Sequence, residues 1–185
     1  MTIPIEVSAR HIHLSKKDLE QLFGKGYELK KLRELVQPLD FAAEEVLIIK
    51  NGSKELSARI VGPLRKETQV EVSLTDAFYL GIKPPIRRSG NLGLTPGIVL
   101  VNKKKEIKIK RGIIVAARHI HCNPLEAKRL GLKNKKYISV KVAGKRELIF
   151  NKVRVRVNKD YALSMHIDLD EANAAGISGK IKGHL

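Results

Sequence analysis

Apolar and polar residues alternate in short runs along most of the chain, and glycine, proline or asparagine closes most runs, the patterning of strands and turns rather than of long helices. Pro4 to Ser8 reads as a strand. Ser15-Lys-Lys-Asp18 resembles a capping box that opens a helix through Phe23, with Gly24 as its stop. Gly26 to Val36 fits neither period cleanly and ends before Pro38; we read it as a small hairpin whose Lys30, Lys31 and Arg33 face solvent or a phosphate. Glu45 to Lys50, Asn51-Gly52 and Glu55 to Val61 predict a hairpin, because Asn-Gly supplies the positive φ angles of a type I′ turn. Gly62-Pro63 breaks the chain. Thr68 to Thr75 then alternates strictly, with Gln69, Glu71 and Ser73 on one face and Val70, Val72 and Leu74 on the other.

Asp76 to Leu80 predicts one helical turn. Arg87-Arg88-Ser89-Gly90 and Gly93 to Gly97 form a polar, glycine-containing loop where backbone N–H and guanidinium groups can hold an anion. Ile98 to Asn102, a Lys103-Lys104-Lys105 turn and Glu106 to Lys110 predict another hairpin, leading into a strand from Gly112 to Ala117. Asn123 caps a helix with Pro124 first and Glu126 third, running to about Leu130 and stopped by Gly131. Tyr137 to Val142, Glu147 to Phe150, Val153 to Val157 and Ala162 to Ile167 read as strands, and Asp168-Leu-Asp-Glu171 opens a last helix through Ala175.

Across this pattern one tetrapeptide recurs: Arg10-His11-Ile12-His13 returns unchanged as Arg118-His119-Ile120-His121. In an extended segment, residues two apart share a face, so each copy presents two imidazoles to one side as a candidate metal clip. One His-x-His pair is weak evidence, since imidazole is also an ordinary hydrogen-bonding group. Two pairs in matching contexts, each between an apolar run and a helix start, are much stronger. His166 lies at the same kind of strand-to-helix corner. Glu71 is a possible carboxylate ligand, although an exposed or ion-paired glutamate is the ordinary reading of that position.

Many short strands, few helices and an internal repeat predict a mainly β protein with short helices: two tandem closed β-barrels related by the repeat. Length and strand spacing exclude a TIM barrel, and with it the amidohydrolase reading of His-x-His. A metallo-β-lactamase wants Asp-His soon after the first pair, where Leu14-Ser15 stands, and the downstream glutamate and glycine of a cupin do not match.

Composition narrows the picture. The chain has 185 residues and 43% hydrophobic content, enough for a buried core, and no window approaches the roughly 18 apolar residues of a membrane span. The amino-terminal segment lacks the features of a secretory signal, and the single Cys122 excludes an intrachain disulfide framework or a multi-cysteine zinc module, so a cytoplasmic location is expected. Thirty-six Lys and Arg against 19 Asp and Glu give a formal charge of +17, compatible with nucleic acid, anionic membrane, phosphate-rich small molecules or a thermally stabilised surface. Four Phe, four Tyr and no Trp leave little for base stacking, and the basic residues are spread rather than blocked. No nucleic-acid or membrane partner is therefore expected.

Val7-Ser-Ala-Arg-His-Ile-His-Leu14, Gly62-Pro-Leu-Arg-Lys-Glu-Thr-Gln-Val-Glu-Val-Ser73, Ala117-Arg-His-Ile-His121 and Met165-His-Ile-Asp-Leu-Asp-Glu-Ala-Asn-Ala-Ala-Gly176 together resemble the PduL-type phosphotransacylases, also called phosphate propanoyltransferases or phosphate acetyltransferases. The resemblance spans nearly the whole chain. It implies a discontinuous layout, with residues 1–9 plus 117–185 forming one barrel and 10–116 the other, the latter with a small two-stranded insertion at about 24–44. It also implies two zinc ions between the barrels, one held by His11, His13 and Glu71 and the other by His119, His121 and His166.

The implied reaction is acyl-CoA plus inorganic phosphate giving acyl phosphate plus coenzyme A, for a short propanoyl or acetyl group, by direct attack of phosphate on the thioester. Arg65 would grip phosphate, aided by Ser8 and Ser89; Arg59, Lys31 or Arg33, and Asn173 would contact coenzyme A, and Phe78 would stack on its adenine. Without the resemblance a core position suits Phe78 better. A homodimer is implied. Relatives housed in microcompartments carry an amino-terminal targeting extension, and here the matching motif starts near residue 8, which suggests an unencapsulated, cytoplasmic version. Two other readings stay open: a metal-dependent hydrolase of thioesters or phosphoesters, and a basic nucleic-acid-binding module. Cys122 is the one cysteine available as a nucleophile, and its neighbours suggest packing beside the second histidine pair.

Overall fold

Alternation of apolar and polar positions builds nearly all of the structure, a computed structural model that describes residues 1–103 and 105–185. In chain order the first half runs β1 (Thr2–Ser8), β2 (His11–His13), α1 (Lys16–Phe23), β3 (Lys31–Glu34), β4 (Phe41–Asn51), β5 (Lys54–Gly62), β6 (Gln69–Glu71) and α2 (Leu74–Leu80). The second half continues β7 (Ile86–Arg87), β8 (Ile98–Asn102), β9 (Lys105–Ile109), β10 (Ile113–Ala116), β11 (His119–Cys122), α3 (Pro124–Arg129), β12 (Tyr137–Val142), β13 (Leu148–Val157), β14 (Ser164–Asp168), α4 (Leu169–Ala174) and β15 (Ile181–His184). The class is mainly β with short helices. Two compact units divide the chain: Met1–Ala9, Val36–Pro38 and Ala117–Leu185 form the first, and Arg10–Leu35 with Leu39–Ala116 form the second.

The first unit is a closed barrel in the order β1-β14-β11-β13-β12-β15, and β15 returns antiparallel to β1 to close it. Every second residue points inward. Ile3 and Ile5 of β1, Ile120 of β11, Val140 of β12, Phe150, Val153 and Val155 of β13, and Met165 and Ile167 of β14 fill the core. At Gly183 on β15 an added Cβ would lie 2.4 Å from Val140 Cγ1, so the barrel closes there only around a residue without a side chain. Gln37 joins this unit through its side chain, its Nε2 donating to Ala162 O (2.8 Å) and Ser164 Oγ (2.7 Å) and its Oε1 accepting from Ala162 N (3.3 Å). A buried amide so satisfied fixes the Val36–Pro38 segment in place.

The second unit is a curled nine-stranded sheet, a half-barrel in the order β7-β10-β6-β2-β5-β4-β8-β9 with β3 paired to β4. Its core gathers Ile12, Leu14, Leu47, Ile49, Ile60, Val70, Leu100 and Ile113, together with Leu19 and Leu22 from α1.

Several local expectations change in the structure. Asn51 pairs with Lys54, so the β4–β5 connection is Gly52-Ser53 and only Gly52 (φ +60°) has positive φ, the pattern of a type II′ rather than a type I′ turn. Freed from the turn, the Asn51 side chain donates to Leu80 O at 2.9 Å. The hairpin expected within Gly26 to Val36 has only one strand there. Lys31–Glu34 pairs instead with Phe41–Ala43 at the start of β4, beyond Pro38. The two strands expected at 147–150 and 153–157 are one strand, β13. In the expected turn at Lys103 to Lys105, Lys104 lies outside the described residues, while Lys103 has φ +54° and Asn102 pairs with Lys105. The carboxy-terminal β15 is additional: its Ile-Lys-Gly-His sequence has one apolar position and gives no alternation to read. Among the described residues no helix is long and apolar enough to cross a membrane.

Candidate active site

In both Arg-His-Ile-His copies the isoleucine anchors the strand. Ile12 and Ile120 are fully buried in the cores of their units, so the flanking imidazoles are turned to the opposite face. Each copy then sits between a parallel and an antiparallel neighbour. β2 pairs with β5 (His11 opposite Arg59) and with β6 (His11 opposite Glu71); β11 pairs with β13 (His119 opposite Arg154) and with β14 (His119 opposite His166). Residues directly opposite on antiparallel strands have Cβ atoms about 4.5–5.5 Å apart, so strand register alone brings a third donor to each pair.

In the second unit the ligand atoms of His11, His13 and Glu71 all lie within 4.8 Å of one another. Among the described residues this is the one His, Cys, Asp and Glu group so tightly gathered. His13 Nδ1–H donates to Val61 O at 3.0 Å, which assigns Nε2 to the cluster. Burial holds the His13 imidazole well below its ordinary pKa, with the charges of His11 and Arg65 acting in the same direction, so it is neutral and competent to ligate. Glu71 Oε2 is 3.6 Å from His11 Nε2, and its Oε1 accepts from Gln69 Nε2 at 2.5 Å. Neutral imidazole, carboxylate and a hydrogen-bonded outer ring match what a zinc-type ion requires.

In the first unit the three rings of His119, His121 and His166 cluster with centroids 4.6, 4.8 and 5.2 Å apart. His119 Nδ1–H donates to Ala117 O at 2.9 Å, again leaving Nε2 as the ligating nitrogen. His166 Nε2 is 2.8 Å from Ser164 Oγ, which also accepts from Gln37, and His121 stacks on Tyr161 at 4.0 Å. The trio fits a metal in chemistry and in outer contacts.

Arg65 lies beside the first cluster. Its backbone N–H bonds Leu14 O, one residue beyond His13, and Nη1 donates to Ser89 Oγ at 2.9 Å. Ser89 also accepts from Gln69 Nε2 (2.8 Å), and Gly90 N–H donates to Gln69 Oε1 (2.7 Å), so one buried amide ties Glu71 to the arginine's partner. Ser8 belongs to the first unit, at the end of β1 opposite Asp168. Arg59 donates through Nη1 to Ala43 O (2.7 Å) and Glu44 O (3.1 Å). Lys31 and Arg33 are exposed on β3, with Lys31 paired to Glu34 at 2.6 Å, and Asn173 is exposed on α4 of the first unit. Phe78, for which the residues alone favour the core, is 87% exposed on α2. Gln69, although it lies within the Gly62 to Ser73 motif, and Asp40, which lies in none, are not site candidates from sequence. Burial raises the Asp40 carboxyl pKa while Arg65 and His11 pull it down, which puts Asp40 in the field of the cluster.

Cys122 is fully buried, points into the barrel core and reaches Arg156 O at 3.8 Å. Burial, and then the Glu126 charge, push its thiol up to about 11. The thiolate is the reactive form, so iodoacetamide is expected to leave the folded protein unlabelled at pH 8 by mass spectrometry, and Cys122→Ala to keep activity within about two-fold. Rapid native labelling, or an inactive Cys122→Ala, would restore the nucleophile reading.

A family described as phosphate propanoyltransferase matches residues 4–178. A phosphate propanoyltransferase of Thermotoga maritima is 51% identical over 176 residues, covering 94% of this chain and 83% of the relative. One from Lachnoclostridium phytofermentans is 48% identical over 95% of this chain and 83% of the relative, and one from Listeria monocytogenes is 44% identical over 99% and 86%. The chain belongs to the phosphate propanoyltransferase family.

Proposed function

We propose that this protein is an acyltransferase that exchanges phosphate and coenzyme A on a short acyl group, propanoyl or acetyl, and that it does so with two zinc ions held by His11, His13 and Glu71 and by His119, His121 and His166. The observation that carries this reading is the buried His11–His13–Glu71 donor cluster tied through Gln69 and Ser89 to the Arg65 guanidinium. A donor set next to a fixed cation suits a reaction in which an anion must approach a polarised carbonyl.

When bound, the metals supply Lewis acidity to the developing oxyanion and to the departing sulfur. The remaining work falls to the chain. Arg65, braced by Ser89, binds phosphate and aims one oxygen at the thioester carbonyl carbon, and Ser8 is assigned a catalytic role. A new C–O bond forms, the C–S bond breaks, and the electron pair leaves with sulfur as the thiolate of coenzyme A. Gln69 orients Glu71, while Val61 O and Ala117 O hold His13 and His119 in the tautomer that ligates. Arg59, Lys31, Arg33, Phe78 and Asn173 are assigned to coenzyme A, whose phosphates give the +17 charge a use.

The test is release of coenzyme A from acetyl-, propanoyl- and butanoyl-CoA, with and without phosphate, on protein of measured metal content. Phosphate-dependent release with stoichiometric acyl phosphate is expected. Release that needs no phosphate would identify a hydrolase instead.

A further inference from the structure

The arginine of the repeated tetrapeptide has a use that the reaction does not require of it. In the second unit Arg10 Nε and Nη2 both reach Asp76 Oδ1 at 3.0 Å. Asp76 stands at the third position of α2, inside the capping box opened by Ser73, and its other oxygen, Oδ2, accepts from Ser73 N at 3.2 Å. In the first unit Arg118 Nη1 reaches Glu171 Oε1 at 3.1 Å. Glu171 stands at the third position of α4, inside the capping box opened by Asp168, and its other oxygen, Oε2, accepts from Asp168 N at 3.2 Å.

The two arrangements share one plan, although Arg10 offers Nε and Nη2 to its carboxylate and Arg118 offers Nη1. Each arginine immediately precedes the first histidine of its pair, and each carboxylate follows the third donor, Glu71 or His166, at the same interval. One carboxylate oxygen caps the helix and the other receives the guanidinium. An antiparallel ladder of only a few residues joins the donor strands in each unit, β2 with β6 and β11 with β14. So short a ladder leaves the relative position of the donors weakly fixed, and a charge-assisted tie to the helix immediately beyond the third donor strengthens it. The side chains of Asp76 and Glu171 are only 8% and 22% exposed, which reduces the solvent screening of these pairs.

We propose that Arg10 and Arg118 are positioning residues, each latching the strand that carries two imidazoles to the capping-box carboxylate of the helix that follows the third donor. This rests on the reading of both trios as metal ligands. The latch explains why the repeat includes its arginine, and it makes each metal site a two-strand, one-helix unit that stands or falls independently of the other.

The test uses full-length protein loaded with zinc and titrated with a chromophoric chelator, so that the affinities of the two sites are read separately from activity. Arg10→Ala is expected to weaken one of the two zinc ions by roughly ten- to a hundred-fold and leave the other unchanged, and Arg118→Ala to weaken the other one. Arg10→Lys, which retains charge but cannot offer two N–H groups in a fixed fork, is expected to fold and show a smaller loss of the same ion. Asp76→Asn is expected to add little once Arg10 is already alanine. Two ions bound as tightly in Arg10→Ala and Arg10→Lys as in the parent protein would overturn the latch, as would equal loss of both ions in a variant whose circular dichroism is native. A parent protein that binds no zinc would remove the ligand assignment itself, a result distinct from either.

Discussion

Glu71→Gln is expected to lower phosphate-dependent consumption of propanoyl-CoA by on the order of a hundred-fold or more and to release one of two bound metal ions. The substitution is nearly isosteric, and the amide can still pair with Gln69, which now bonds Glu71 at 2.5 Å. The side chain stays packed at 9% exposure, so the barrel-like sheet should keep its native circular dichroism. What is lost is the anionic oxygen among donors that lie within 4.8 Å of one another. A Lewis acid contributes several kcal/mol to a transition state that develops negative charge, and about 1.4 kcal/mol corresponds to a factor of ten, which sets the size of the effect. Metal content and rate are measured on the same sample. A Glu71→Gln protein with full metal and full rate would refute the role given to this cluster.

The second large effect is expected at Arg65, and it should have a different signature. Arg65→Lys keeps the charge but replaces a planar fork with a single ammonium, so the loss should fall on phosphate rather than on metal or on coenzyme A. A hydrogen bond to a charged group contributes roughly 1.5–3 kcal/mol, so kcat/KM for phosphate should drop roughly ten- to a hundred-fold. Metal stoichiometry and the KM for propanoyl-CoA should not change, because Arg65 bonds Ser89 and is not among the clustered donors. Initial rates over a phosphate series at fixed acyl-CoA give the answer. If the lysine variant keeps its phosphate dependence and loses acyl-CoA affinity instead, Arg65 belongs to coenzyme A.

These two positions differ in how far sequence alone could identify them. Arg65 lies in a Gly-Pro-Leu-Arg run whose importance comes from the family resemblance. Glu71 lies in a strictly alternating stretch where a glutamate normally faces solvent, and the same pattern read by itself leaves it there. It is buried because β6 is an interior strand, flanked by β2 and β10, with a loop carrying Ser89 and Gly90 held over it by Gln69. Alternation tells which residues share a face and cannot tell whether that face is covered. Phe78 shows the converse: an aromatic residue on a short amphipathic stretch reads as core, yet α2 buries Asp76, Ala77 and Leu80 and leaves Phe78 exposed.

Much of the local chemistry was legible because its cause is local. The caps Ser15, Asn123 and Asp168, the stop at Gly24 and the β4–β5 hairpin follow from side chains that satisfy neighbouring backbone groups, and each is present. The strand β15 was not legible, since Gly183 contributes space rather than hydrophobicity and its fit against Val140 exists only once the barrel closes. Gln37 likewise gives no sign in the sequence, because its partners Ala162 and Ser164 lie far along the chain.

The sequence by itself determined the duplicated Arg-His-Ile-His, the strand-rich class and the helix that begins after each donor strand, because these depend on periodicity and on capping within a few residues. Only the tertiary structure decided that His11 faces Glu71 and His119 faces His166, that the donors of the first trio lie within 4.8 Å of one another, and that each repeated arginine pairs with the acid of a distant capping box. Those outcomes depend on which strands pair and in what register, and register is set by the burial of whole faces against residues far away in the chain.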